Sequence, residues 1–190
     1  MRQSAISALL RAKNTVFTFK EIALMLGETQ TGNMRAKISY YVRQKALYPI
    51  RRGIYAKDAN YDRLELATKI VTPAYISFET VLAKEGIVFQ NYQAIFTASY
   101  LSREVSCDGG MYVFKRLKDS ILTNADGLEN RGNYFIAMKE RAFLDTIYIN
   151  TEYYFDNLSS IDWDRCFKLI PLYENKNMMR RLDKHYKNRK

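Results

Sequence analysis

At 190 residues, 47% of them hydrophobic, the chain is long enough to bury a real core in one medium domain or two small ones. No apolar run approaches the ~20 residues of a membrane-spanning helix, and the first ten residues lack a secretory leader pattern. Two distant cysteines, Cys107 and Cys166, and the lone His185 exclude a structural zinc site and most histidine-based catalysis. The expected compartment is the cytoplasm.

The net charge of +10 is unevenly placed. Residues 1–57 carry +9, residues 58–173 carry −4 and residues 174–190 carry +5. A basic head on a mildly acidic middle is the footprint of a polyanion-binding end attached to something else.

In chain order, Ile6, Leu9 and Leu10 give Ser4 to Lys13 the spacing of an amphipathic helix. Thr18 and Glu21 form a capping-box signature for a second helix through Ile22, Ala23 and Leu26, which stops at Gly27. After the polar stretch Glu28 to Gly32, a third helix is predicted from about Asn33 to Lys45, with Met34, Ile38, Tyr41 and Val42 inward. Two β-like runs, Leu47 to Arg51 and Ile54 to Lys57, are joined by Arg52-Gly53, a hairpin signal. Helix, helix, turn, helix, hairpin is the order of a winged helix-turn-helix, expected over residues 1–57.

Residues 58–190 read as a mixed α+β domain, so the whole chain is α+β. Asp62 is predicted to cap a helix carrying Leu64, Leu66, Ala67 and Ile70, and Ser77 one carrying Val81 and Leu82 that closes on Gly86. Strands are predicted at Ala74–Ile76, Gln93–Ser99, Arg103–Cys107, Met111–Arg116 and Asn133–Ala137, with a turn at Asp108-Gly109-Gly110. Helices follow from Lys139 to Tyr148, from Asp162 or Asp164 to Ile170, and as a basic segment from Glu174 to Lys190. That last helix could add phosphate contacts, form a dimer through Met178, Met179 and Leu182, or simply dock on the second domain.

Setting Met34, Ile38, Tyr41 and Val42 inward leaves Asn33, Ala36, Ser39, Tyr40 and Arg43 outward on the third helix, flanked by Arg35 and Lys37. An acid-free face of groups that bond bases and phosphates suits a major-groove recognition helix, and small Ala36 and Ser39 permit close approach. Thr29, Gln30 and Thr31 are expected to reach backbone phosphates, and Arg51 and Arg52 at the hairpin tip a phosphate ridge or the minor groove. The expected partner is double-stranded DNA, with no catalytic residues, metal or cofactor. A rival reading as a metal-dependent nuclease rests on Asp162 or Asp164 with Glu174 and Lys176, a common pattern in charged chains.

Arg52-Gly53-Ile54-Tyr55-Ala56, then Ala74-Tyr75-Ile76-Ser77 and Thr80-Val81-Leu82 before Gly86-Ile87, resemble the AbiEi family of antitoxins. Lys139-Glu140-Arg141-Ala142-Phe143-Leu144-Asp145 is similar to a later helix of that family, and the resemblance spans roughly residues 1–150. It implies a phage-defence antitoxin that represses its own operon at inverted repeats and counteracts a nucleotidyltransferase-type toxin; separately, half-sites spaced along a palindrome would reward a homodimer on DNA. The alternative within the regulatory class is a stand-alone repressor whose second domain senses a ligand or dimerises.

Overall fold

The structure, a computed structural model, describes residues 5–27, 32–90 and 92–187. It is a mixed α+β protein that divides into two compact units. The first comprises Met1–Ile70 with Cys107–Gly109; the second comprises Val71–Ser106 and Gly110–Lys190.

In the first unit the order is α1 (Ala5–Arg11), β1 (Val16–Thr18), α2 (Phe19–Met25), α3 (Gly32–Arg43), β2 (Tyr48–Arg51), β3 (Ile54–Ala56) and α4 (Arg63–Ile70). The capping box forms as its residues dictate. The Thr18 hydroxyl accepts from the Glu21 amide at 3.2 Å, and the Glu21 carboxylate accepts from the Thr18 amide at 2.8 Å. Glu21 also pairs with Lys69 of α4. Burial acts to raise the Glu21 pKa, but the Lys69 ammonium and the Thr18 amide outweigh it and hold the carboxyl below its ordinary value.

β1 is an addition to the predicted elements. It pairs antiparallel with β3, Val16 opposite Ala56 and Thr18 opposite Ile54, and makes a three-stranded sheet of order β1-β3-β2. The core under this sheet is Leu9, Phe17, Ile22, Ala23, Met34, Ile38 and Leu47, drawn from α1, β1, α2, α3 and the residue leading into β2. Each large apolar side chain so buried contributes about 1.5–3 kcal/mol. Asp62 caps α4 as expected, its carboxylate accepting from the Leu64 amide at 2.8 Å. Glu65, buried on α4, accepts from the Thr15 amide at 2.8 Å, the Thr15 hydroxyl at 2.7 Å and Asn14 Nδ2 at 3.1 Å. That bond set ties α4 to the residues leading into β1.

The second unit contains β4 (Ala74–Ile76), α5 (Glu79–Lys84), β5 (Ala94–Ser99), β6 (Arg103–Cys107), β7 (Gly110–Arg116), α6 (Asp119–Leu122), β8 (Leu128–Asn130), β9 (Phe135–Ala137), α7 (Lys139–Ile149), α8 (Trp163–Leu169), a 3-10 turn (Ile170–Tyr173) and α9 (Met178–Lys187). Its six-stranded mixed sheet has the order β6-β7-β5-β4-β9-β8. β5 runs parallel to β7 and β4 to β9, while β4–β5 and β8–β9 are antiparallel. α6 and β8 were not predicted, and α9 begins at Met178 rather than Glu174.

Ser77 does not cap α5: the residue preceding that helix is Phe78, with no side-chain cap. The Ser77 hydroxyl instead donates to Asp145 at 2.8 Å, because a fully buried carboxylate needs every donor within reach. Arg141 and Asp145, one turn apart on α7 and both fully buried, are the centre of this network. Arg141 donates to Asp145 at 3.2 Å, to the Asp126 carbonyl at 2.6 Å, to the Ile121 carbonyl at 2.7 Å and to Tyr75 Oη at 3.0 Å. Tyr75 and Tyr173 donate to Asp145 at 2.9 and 2.7 Å. Burial, then the Asp145 charge, pushes both phenols well above their ordinary range.

Candidate nucleic-acid interface

α3 is helical because Met34 and Ile38, one turn apart, both reach the core, with Tyr41 and Val42 partly buried beside them. The opposite side is open: Asn33, Arg35, Ala36, Ser39, Tyr40 and Arg43 are exposed and Lys37 is half-buried. Tyr40 is 51% exposed and is steadied by an edge contact with Tyr41, ring centroids 5.8 Å apart. No acid lies on this helix.

The hairpin reaches the same side. Its register slips between Pro49 and Arg51, and Gly53 takes a left-handed φ of 79°, which the tight turn requires of a residue without Cβ. The Gly53 carbonyl accepts from the Phe19 amide at 2.8 Å, fixing the hairpin tip to the start of α2. Arg35, Ser39, Arg52, Gly53, Phe19 and Tyr55 line one concave cleft of about 400 Å³. Two guanidinium groups and a hydroxyl face one hollow without a carboxylate among its lining residues, a donor set suited to phosphate oxygens.

The two hairpin arginines part ways. Arg52 is exposed and lines the cleft. Arg51 is half-buried, and its Nη1 is buried with no hydrogen-bond partner among the described residues. Arg51 lies close enough to Cys107 for its charge to act on that thiol, which burial and Asp108 nonetheless hold above its ordinary pKa. Thr29, Gln30 and Thr31 lie outside the described residues. Phe19 and Tyr55 were not predicted as site residues, since only the β1–β3 pairing brings them to the cleft.

Of the carboxylates in the nuclease reading, one has a structural role. Asp162 is the N-cap of α8, accepting from the Arg165 amide at 3.0 Å, and Glu174 follows the 3-10 turn in a left-handed conformation with φ of 45°. Among the described residues no group of three or more His, Cys, Asp or Glu side chains is placed to hold a metal ion. No helix among them is long and apolar enough to cross a membrane. Cys166 is buried, and burial together with Glu140 and Asp162 raises its thiol pKa well above the ordinary value. The chain matches no protein-family model and no curated protein.

Proposed function

We propose that the first unit is a winged helix-turn-helix and that the protein is a sequence-specific, non-enzymatic regulator of transcription bound to double-stranded DNA. The carrying observation is the cleft that gathers Arg35, Ser39 and Arg52 beside the acid-free, exposed face of α3. In this reading Arg35 and Arg52 grip backbone phosphates, while Asn33, Ala36, Ser39 and Tyr40 meet base edges in the major groove. Half-sites arranged as inverted repeats would take a homodimer.

Within that class the particular role is an AbiEi-like antitoxin: a repressor of its own operon in the cytoplasm that also counteracts a nucleotidyltransferase-type toxin. The motif resemblance, and above all Lys139 to Asp145 on α7, supports this second step.

The test compares the full chain on duplexes covering the region upstream of its own reading frame and on scrambled duplexes. The upstream duplex is expected to bind more tightly, and Asn33→Ala or Tyr40→Ala to erode that preference by about 1–3 kcal/mol per base contact. Equal affinity for both duplexes overturns the regulator reading. Co-expression with a nucleotidyltransferase from the neighbouring reading frame tests the antitoxin role; growth arrest undiminished by this chain overturns it.

A further inference from the structure

We infer that the outer ridge of α9 is a second, sequence-independent contact for the phosphate backbone of duplex DNA; this rests on the DNA-binding reading above and extends it to the second unit.

α9 is held from one side only. Met178 and Leu182 are buried, and His185 packs edge-on against Phe143 and Phe155 at 5.6 and 5.2 Å. Tyr186 meets Trp163 and Phe167 at 5.4 and 5.5 Å. Arg181 donates to the Ile147 and Tyr148 carbonyls at 2.8 and 2.6 Å, satisfying the C-terminal end of α7. These contacts fix the helix's rotation. With Leu182 as the inward reference, the ~100° step per residue sets Lys187, Arg180 and Lys184 at about 140°, 160° and 200°. All three are exposed.

The ridge is therefore a run of like charges at helical spacings of three and four. Such pairs repel and destabilise the helix that carries them, so the ridge is relieved when an anion lies along it. Lys184 has one neutralising contact, Glu152 at 3.2 Å, with both side chains mostly exposed. Arg180 and Lys187 enter none of the described ion pairs. Asp183, the helix's one acid, is half-buried on the flank. A solubilising face interleaves both signs; this one does not. A polymer of regularly spaced phosphates satisfies several collinear cations at once, with no demand on base sequence.

The full chain is titrated with a duplex of about 30 base pairs, some three helical turns, at several salt concentrations. Arg180→Gln/Lys187→Gln leaves the Lys184–Glu152 pair intact. It is expected to weaken binding to the upstream and scrambled duplexes alike and to flatten the log–log salt slope by about 1.8, so that raising salt from 50 to 200 mM costs about 12-fold less affinity than in the wild type. Glu152→Gln frees Lys184 and is expected to tighten binding about twofold, a gain that misfolding cannot mimic. A double variant with wild-type affinity and slope, in a preparation where Arg35→Ala/Arg52→Ala does flatten the slope, overturns the ridge and leaves the cleft standing. The reverse pattern keeps the ridge and overturns the cleft. A wild-type chain that binds no duplex overturns both.

Discussion

Replacing Arg141 by methionine is the sharpest probe of what organises the second unit. The guanidinium is wholly buried and makes four hydrogen bonds, to Asp145, to two carbonyls and to Tyr75. Methionine fills much of the volume, so the loss is electrostatic. Asp145 remains buried without its counter-charge, and the Ile121 and Asp126 carbonyls lose a donor. Breaking a buried pair from one side costs about 3–5 kcal/mol. At about 2–4 °C per kcal/mol for a chain of this size, the melting point should fall by about 6–20 °C. Trp163, the only tryptophan, packs against Phe143 of α7 at 5.9 Å, so its fluorescence reports the unit concerned. Asp145→Leu should be comparably damaging. The double variant Arg141→Met/Asp145→Leu should lose about 1–3 kcal/mol less than the sum of the singles, since no lone charge is left buried. Strict additivity, or a melting point for Arg141→Met within about 3 °C of wild type, would refute the assignment of a coupled ion pair.

Arg52→Ala should reduce the salt slope of DNA binding by about one unit, as one phosphate contact is lost. Arg51→Ala should leave the slope unchanged and alter stability, because its side chain is turned into the protein; a drop in slope from Arg51→Ala would reverse the distinction. His185 has its pKa lowered below 6.5, by burial first and Lys184 second. Its neutral form is favoured on folding, so stability is full above pH 6.5 and is lost as pH falls through the lower folded value. Denaturant midpoints measured from pH 7.5 down to pH 5 should fall less in His185→Leu than in the wild type, as one titration is removed; parallel curves would refute the coupling. A fragment ending at residue 57 loses α4, and with it the Glu65 acceptor for the Thr15 amide, whereas one ending at Ile70 keeps both. The longer fragment should be more resistant to proteolysis, and equal resistance would deny α4 a role in that unit.

What could be read from the sequence was what the chain encodes locally. The Thr18–Glu21 box lies within one helical turn, the Arg52-Gly53 turn within two residues, and Met34 and Ile38 within one step of a period. Each signal is complete without knowledge of the partner. β1 exists because Val16 meets Ala56 across forty positions, a pairing that no local signal encodes. Ser77 carries a helix-cap signature that a distant carboxylate overrides. Arg51 and Arg52 are equivalent as letters; a register slip between Pro49 and Arg51 separates their fates. The outward face of α3 was thus legible, while the cleft, assembled from three elements, was not.

The second unit divides between a buried polar network and its surface hollows, and only one of the two is free to rearrange. A ligand sensor of the usual kind offers a largely apolar pocket with a few polar groups that change partners. Here the buried polar groups of Arg141 and Asp145 are saturated by carbonyls and hydroxyls, and exchanging any of those bonds would strand a charge in the core. One of the unit's surface hollows, about 180 Å³, is lined largely by charges, among them Lys84, Glu85, Glu129, Arg131, Lys139 and Arg165. Two others, of about 500 and 340 Å³, carry more apolar and aromatic lining, Val88, Phe89 and Ile95 in the first and Tyr153, Phe155 and Leu158 in the second. A ligand-dependent change in this unit therefore has to begin at such surface hollows and move their walls, because the Arg141–Asp145 network cannot exchange partners without stranding a charge.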